Sequence, residues 1–150
     1  MITVSTTRDE RSDESGAYLK RAFEKAGHRV HFYTVVKDDI SQIQAALRDA
    51  LATQGVDFVV TSGGTGMGRA DVTIEAILPI LEKRADGWGD VFRAASFKQI
   101  GAAAFLSRSA AGTVGGKWVI AVPGSLGAAK TAAEKILIPE LEHMLYEARR

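Results

Sequence analysis

The apolar run at residues 56–60 limits most strongly what this 150-residue chain can fold into. A strand with apolar side chains on both faces is typical of a parallel sheet that helices cover on both sides. Residues 2–5 and 28–36 form two earlier strand patterns, each followed by a segment with helical periodicity. The first sixty residues therefore predict the order strand, helix, strand, helix, strand.

The two intervening segments repeat apolar residues at intervals of three and four, the spacing that gives a helix one buried face. In the first helix, which ends before a glycine, these residues are Leu19, Ala22, Phe23 and Ala26. In the second helix they are Ile40, Ile43, Leu47 and Leu51. Both helices are therefore expected to pack one face against the sheet.

The second half of the chain continues the alternation. A third helix is predicted at 72–81, an irregular segment at 86–93, a hairpin ending in a strand at 112–124, and a last helix from residue 128 that Pro139 interrupts. Strands alternating with helices predict one α/β domain over residues 1–150. We expect a three-layer structure, with a mainly parallel sheet and helices on both faces.

The composition excludes several classes of protein. The chain has no cysteine, which excludes a disulfide framework and a thiolate metal site. Nineteen basic side chains against 18 acidic ones create no overall field that would attract nucleic acid or a membrane surface. Neither a signal sequence nor a spanning run of about twenty apolar residues is expected. These features predict a cytoplasmic protein with small-molecule partners.

The segment TSGGTGMG, residues 61–68, directly follows the apolar run and so lies at the carboxyl end of a strand. In open α/β sheets, ligands bind beyond this edge. A Walker-type phosphate loop does not fit, because Arg69 and Ala70 stand where lysine and a magnesium-binding hydroxyl are needed. A dinucleotide fingerprint does not fit either, because Arg69 takes the place of its third glycine.

A general anion cradle remains as the interpretation of this segment. Glycines let backbone N–H groups approach an anion, Ser62 and Thr65 add hydroxyl donors, and a helix beginning near Asp71 directs its positive end toward the loop. The alternative is a mobile turn without a ligand. The length of the run of small residues favours the cradle.

Two acidic residues are expected at the same edge of the sheet. Asp39, with Gln42 three residues later, fits a helix-capping pattern, and this leaves Asp38 without a structural role. Asp71 either caps the helix that begins at Val72 or binds a divalent metal ion beside the glycine loop. Carboxylates beside an anion-binding loop repel the anion unless a cation lies between the carboxylates and the anion. Asp38 and Asp71 are therefore candidate ligands for Mg²⁺.

Several segments resemble the MoaB/MogA-type family of molybdenum cofactor biosynthesis proteins, the molybdopterin adenylyltransferases. The resemblance covers nearly the whole chain, and the segments that carry it best are VSTTR at 4–8, VVKDD at 35–39, VVTSGGTGMGRADVTIEAILPIL at 59–81 and VIAVPGS at 119–125. It implies a molybdopterin-binding-like fold and a homo-oligomer, a trimer or a hexamer. It also implies that ATP and Mg²⁺ serve to adenylylate molybdopterin, with release of pyrophosphate.

The resemblance also implies which residues form the site. It gives Asp38 and Asp71 a catalytic and metal-binding role. The residues it places against the substrates are Ser62, Gly63, Gly64, Thr65, Gly66, Ser107, Arg108, Pro123, Gly124 and Ser125. A solvated arginine on a hairpin is the alternative interpretation of Arg108. The chain departs from the family at Thr6, where aspartate is frequent, and at Ala70, where the family has arginine or proline.

Two classes of function are compatible with these residues. The first is the adenylyltransferase, and the second is a non-catalytic protein that binds molybdopterin or acts as a scaffold in the same pathway. Both would use the glycine loop, but only the enzyme needs Asp38 and Asp71 beside an anion. The apolar and small residues at 100–106 are candidates for packing against a neighbouring copy in the oligomer.

Overall fold

The structure is a computed structural model that describes residues 1–150. Its strands are β1 Ile2–Val4, β2 Thr34–Val36, β3 Phe58–Ser62, β4 Lys83–Arg84, β5 Ala110–Val114 and β6 Lys117–Val122. Its α-helices are α1 Glu14–Lys25, α2 Ile40–Ala52, α3 Thr73–Ile77, α4 Gly87–Ile100, α5 Leu126–Ala132 and α6 Ile138–Arg149. Short 3₁₀ turns cover Leu78–Ile80 and Gly101–Leu106, and a π-helical turn covers Ala133–Leu137.

All six strands form one sheet in the order β2-β1-β3-β6-β5-β4. The first four of these are parallel, and β5 and β4 are antiparallel to their neighbours, which confirms the mainly parallel sheet. The chain passes from β1 outward to β2 and then returns to β3 on the other side of β1. Strand order therefore reverses at β1, and crevices at such reversals are where α/β sheets bind ligands.

The sheet lies between two helical layers, as the apolar strand pattern predicts. Alternate residues of β3 point to opposite faces, so Val59 packs in the core on the side of α2 and α3, and Val60 packs on the other side. The second core includes residues of α1, α4, α5 and α6. Both neighbouring valines are 1% exposed, which shows that β3 is buried on both faces.

Two predicted strand boundaries are wrong. The strand predicted at 28–36 is limited to Thr34–Val36, because its partner β1 is only three residues long and pairs no further. The strand predicted at 56–60 lies two residues later, at Phe58–Ser62. It extends into the first residues of the glycine segment because Ser62 still pairs with Val122 of β6.

The segment at 86–93 is helical and not irregular, since α4 covers Gly87–Ile100. Trp88, Phe92 and Ser96 follow one another at intervals of four and are buried on one face of α4. This packing outweighs the low helix propensity of Gly87 and Gly89. The helix predicted at 72–81 is shorter than expected, because α3 ends at Ile77 and a 3₁₀ turn follows.

The hairpin and the last helix agree with the predictions in outline. The turn between β5 and β6 contains Gly115 and Gly116, with φ angles of +56° and +72°. The last helical region begins at Leu126 and not at residue 128, because the Ser125 hydroxyl oxygen accepts the Ala128 N–H at 3.1 Å and caps it. Pro139 lies in the first turn of α6, after the π-helical turn.

Candidate functional site

An open cleft of about 580 Å³ lies at the carboxyl ends of the parallel strands. The segments after β1, β2, β3 and β6 all contribute to its lining, as the strand reversal predicts. Every predicted site residue except Arg108 lines the cleft: Asp38, Ser62, Gly63, Gly64, Thr65, Gly66, Asp71, Ser107, Pro123, Gly124 and Ser125. The lining also includes residues that the sequence reasoning did not select, namely Val4, Ser5, Thr6, Thr7, Arg8, Ala70 and Leu106.

The glycine loop has a backbone conformation that explains its composition. Gly63 and Gly64 have φ angles of +105° and +62°, which residues with a side chain rarely adopt. A Cβ atom on Gly63 would also overlap the carbonyl oxygen of Val4. The Gly63 N–H donates to the Val122 carbonyl oxygen at 3.0 Å, so the loop is fixed to β6. This anchoring argues against the alternative of a mobile turn.

The turn after β6 packs directly against the glycine loop. A Cβ atom on Gly124 would lie 2.9 Å from the Cα atom of Gly63, so only glycine allows the two backbones to approach. Arg8, from the segment after β1, donates from Nη1 to the Gly124 carbonyl oxygen at 3.1 Å. Segments after three different strands therefore meet at one end of the cleft.

Arg108 lies behind the loop and binds its backbone. Its Nε atom donates to the carbonyl oxygens of Thr65 at 3.1 Å and Gly66 at 2.9 Å, and its Nη2 atom donates to that of Asp71 at 2.9 Å. The guanidinium group also pairs with Glu75 of α3, and its hydrogen bond lowers the pKa of that carboxyl group. These contacts do not fit a solvated arginine on a hairpin.

Asp71 closes the glycine loop. Its Oδ2 atom accepts the Gly68 N–H at 3.0 Å, and the same oxygen would lie 2.9 Å from a Cβ atom on Gly66. The interpretation of Asp71 as a helix cap is wrong, because α3 has Val72 at its N-cap position and lacks a side-chain cap. The carboxylate therefore faces the loop, and its role as a metal ligand stays a prediction.

Asp38 lies at the same loop, next to a different glycine. Its Oδ2 atom accepts the Thr6 hydroxyl at 2.7 Å, and its Oδ1 atom would lie 2.9 Å from a Cβ atom on Gly64. Asp39 caps α2, since its carboxylate accepts the Gln42 N–H at 2.9 Å, which confirms the capping pattern. The capping role of Asp39 leaves Asp38 free to face the cleft.

The donor atoms at the cleft determine which metal ion they could bind. No group of three or more His, Cys, Asp or Glu side chains in the structure is suited to hold a metal ion. Asp38 and Asp71 supply two carboxylates, and the other polar side chains that line the cleft near them, those of Thr6 and Thr65, carry hydroxyl oxygens. This donor set fits Mg²⁺, which prefers oxygen, keeps several waters and often binds one or two carboxylates together with substrate phosphates.

A buried carboxylate, Asp13, caps the start of α1. Asp13 is 1% exposed and accepts hydrogen bonds from the hydroxyls of Thr3 at 2.5 Å and Tyr33 at 2.7 Å. It also accepts from the Ser15 hydroxyl and the Gly16 N–H. Burial raises the pKa of Asp13, but these donors together lower it below its usual value. Asp13 therefore stays ionised and fixes the start of α1 against β1.

A family model and a relative of known sequence both match this chain over nearly its whole length. The family model described as "Probable molybdopterin binding domain" matches residues 1–143. The Molybdenum cofactor biosynthesis protein B of Bacillus cereus is 44% identical over 151 residues, which cover all of this chain and 89% of that protein. None of the helices is long and apolar enough to cross a membrane.

Two solved structures have the same fold over nearly their whole lengths. A crystal structure of Molybdenum cofactor biosynthesis protein B is 44% identical, with a TM-score of 0.96 over 99% of this chain and 93% of that chain. The tungsten cofactor synthesizing protein MoaB from Pyrococcus furiosus is 40% identical, with a TM-score of 0.89 over 99% of this chain and 94% of that one. The chain therefore belongs to the family of molybdenum cofactor biosynthesis proteins that carry the probable molybdopterin binding domain.

Proposed function

We propose that the chain is a molybdopterin adenylyltransferase that uses ATP and Mg²⁺ and releases pyrophosphate. The observation that supports this best is the position of Asp38 beside Gly64 and of Asp71 beside Gly66 and Gly68, at one glycine loop. A protein that only bound an anionic pterin would gain nothing from two carboxylates at that place, since they repel the ligand. With a divalent cation between them, the same carboxylates attract a triphosphate.

The proposed reaction transfers an adenylyl group between two phosphates. A terminal phosphate oxygen of molybdopterin forms a bond to the α-phosphorus of ATP, and the bond from that phosphorus to the oxygen of the β-phosphate breaks. Pyrophosphate leaves with this electron pair, roughly in line with the attacking oxygen. The protein contributes by positioning two anions that repel each other and by stabilising the charge of the transition state.

Each part of the cleft has a role in this scheme. The Gly63–Gly66 backbone and the Thr65 hydroxyl bind phosphate oxygens, and the turn at Pro123, Gly124 and Ser125 forms the facing wall together with Ser107. Arg108 keeps the loop carbonyls turned toward its guanidinium group, so that they do not repel the anion. Asp38 and Asp71 would hold Mg²⁺, which supplies positive charge for the triphosphate.

We also propose that the chain forms a trimer. Four large apolar side chains are about half exposed or more within or just before the 3₁₀ turn that leads to the cleft: Phe97, Ile100, Phe105 and Leu106. Together they form what we term the apolar patch. Exposed apolar patches mark interaction surfaces, and most soluble oligomers are symmetric homo-oligomers.

The proposal is tested by measuring pyrophosphate after the purified protein is mixed with ATP, Mg²⁺ and molybdopterin. We expect pyrophosphate and adenylylated molybdopterin in equal amounts, and neither product when molybdopterin is omitted or Mg²⁺ is removed by EDTA. Tight binding of molybdopterin without any pyrophosphate would reject the enzyme. In that case, the chain is a molybdopterin-binding or scaffold protein.

A further inference from the structure

The two carboxylates of the cleft are held in the same way, each through one of its two oxygens. The Asp38 Oδ2 atom accepts the Thr6 hydroxyl at 2.7 Å, and the Asp71 Oδ2 atom accepts the Gly68 N–H at 3.0 Å. The Oδ1 atom of each carboxylate has no hydrogen-bond partner in the structure. Both residues line the cleft, so each carboxylate keeps one oxygen there that is free of hydrogen bonds.

The pairing of β1 with β2 places Thr6 beside Asp38. Val4 is the register partner of Val36, and the Ser5 N–H continues the ladder by donating to the Val36 carbonyl oxygen at 2.8 Å. Two residues beyond the paired valines, Thr6 and Asp38 still lie side by side, as their hydrogen bond shows. The contact therefore follows from the register of the two strands.

The Thr6 hydroxyl limits how Asp38 can bind a cation. Its hydrogen atom points at Oδ2, and a cation held by both carboxylate oxygens would have to approach that same atom. The positive end of the hydroxyl dipole repels such a cation, which leaves Oδ1 as the single coordinating atom. Oδ1 is also the oxygen that faces the glycine loop, since it would lie 2.9 Å from a Cβ atom on Gly64.

Coordination through one carboxylate oxygen suits Mg²⁺ better than Ca²⁺. Mg²⁺ is small, requires a nearly ideal octahedron, and keeps several waters beside one or two carboxylates. Ca²⁺ takes more oxygen ligands in a less regular geometry and often uses both oxygens of one carboxylate. With Oδ2 held by Thr6, Asp38 meets the requirements of Mg²⁺ and supplies one oxygen fewer than Ca²⁺ can use.

We propose that Thr6 is a positioning residue that makes Asp38 a ligand through one oxygen and so selects Mg²⁺ over Ca²⁺. This step rests on the proposed function, which gives Asp38 the role of a metal ligand. Selection between the two ions matters for that function, because the longer and less regular coordination of Ca²⁺ would change how the triphosphate is held.

The test measures ions bound to the purified protein without any substrate. Mn²⁺ is the probe, because the electron paramagnetic resonance signal of the free ion falls when it binds, and Mg²⁺ or Ca²⁺ is then added to displace it. The two displacement curves give the affinity for each ion. We expect Thr6→Val, which replaces the hydroxyl by a methyl group of similar size, to lower the ratio of Mg²⁺ to Ca²⁺ affinity about tenfold.

Three further variants separate this role from a structural one. Thr6→Ser keeps the hydroxyl and should keep the ratio of the unmodified protein. In an Asp38→Asn background, Thr6→Val should change neither affinity, because the carboxylate through which Thr6 acts is absent. Thr53→Val is the matched control, since the Thr53 hydroxyl also donates a hydrogen bond, to the Asp49 carbonyl oxygen at 2.8 Å, but lies at the opposite end of α2. It should leave the ratio unchanged.

An unchanged ratio in Thr6→Val, or an equal fall in Thr6→Ser, would overturn the proposal. It would also be overturned if the unmodified protein bound none of the three ions at millimolar concentration. Thr6 is exposed, so Thr6→Val should fold normally, which an unchanged midpoint of urea unfolding verifies.

The outcome is distinct from that of the proposed function, because ion binding requires no turnover. A protein whose ion selectivity depends on Thr6 but which releases no pyrophosphate from ATP would keep the role of Thr6 and reject the adenylyl transfer. Pyrophosphate release by the unmodified protein, together with an unchanged ratio in Thr6→Val, would keep the enzyme and reject the role of Thr6.

Discussion

The Thr73 hydroxyl donates to the carbonyl oxygen of Gly63 at 2.8 Å and joins the first turn of α3 to the glycine loop. The backbone makes a second link, because the Thr73 N–H donates to the Gly64 carbonyl oxygen at 2.9 Å. The same hydroxyl occupies the space that a side chain on Gly64 would need. Any residue larger than glycine at position 64 must therefore displace the contact that holds the loop.

Gly64→Val should abolish molybdopterin binding and lower the free energy of unfolding by roughly 2–4 kcal/mol, because it imposes a positive φ on a branched residue and overlaps Thr73. Urea unfolding and a binding titration measure the two effects. Gly127→Ala is the control, since Gly127 lies in α5 with no atom within 4 Å of an added Cβ. Normal binding by the valine variant would show that the cradle lies elsewhere.

Asp71→Asn should slow adenylyl transfer about a hundredfold, close to 3 kcal/mol of transition-state stabilisation, while molybdopterin affinity changes only a few fold. Asparagine retains an oxygen that can accept the Gly68 N–H, so the loop stays closed while the charge proposed to retain Mg²⁺ is removed. Single-turnover formation of adenylylated molybdopterin measures the rate. Full activity of this variant would show that Asp71 only holds the loop through its hydrogen bond with Gly68 and has no role in the reaction.

Asp38→Asn should have an effect of similar size. If both carboxylates hold one Mg²⁺, the double variant should be little slower than either single variant, because removing the first ligand already removes the ion. The coupling is obtained from single-turnover rates of all four proteins at saturating ATP. Effects that multiply would contradict a shared ion and would indicate two independent roles.

Asp13→Asn should destabilise the fold by about 1–2 kcal/mol near neutral pH, since asparagine accepts fewer of the hydrogen bonds that the carboxylate receives. The pKa of Asp13 is lowered in the folded state, so its contribution is present above the pKa of the unfolded chain, about 3.9. The contribution is lost as the pH falls through the lower folded-state value. The difference between the wild type and Asp13→Asn, measured by urea unfolding, should therefore shrink below about pH 4. A pH-independent difference would contradict this linkage.

Phe105→Asp should reduce the proposed trimer to monomers, because Phe105 is 74% exposed in the apolar patch and burying an unpaired charge there would cost free energy. Light scattering at micromolar concentration should give the mass of three chains for the unmodified protein and of one for the variant. Tyr146→Asp is the control, since Tyr146 is also exposed but lies on α6. A single-chain mass for the unmodified protein would reject the trimer.

Much of this cleft could be predicted from the sequence, because the backbone conformation of the cleft requires particular residue types at particular positions. Gly63 and Gly64 are needed for their positive φ angles, a requirement of the local backbone, and Gly124 is needed for its close contact with Gly63. Asp38 also stands out, because Asp39 has the capping role. Positive φ angles and helix caps depend on local geometry, so the residue types that they require can be recognised from the sequence.

Contacts between distant residues could not be predicted in the same way. The role of Arg108 depends on α3 and the glycine loop folding around it, and nothing near position 108 indicates that Glu75 is its partner. Arg8 was overlooked for the same reason, although its place after β1 at the carboxyl edge of the sheet is a usable signal. The α4 helix was missed because tertiary packing of Trp88 and Phe92 outweighs two glycines.

The close contact between Gly63 and Gly124 has a consequence for the entropy of binding. Two backbones that touch without side chains between them leave few torsion angles to be fixed when a ligand arrives. The ordering of loops and side chains on binding normally costs free energy and weakens affinity. Where two backbones are already packed together, this cost is smaller, so more of the interaction energy contributes to affinity. Ligand binding at this end of the cleft should therefore be accompanied by little loss of conformational freedom in the protein.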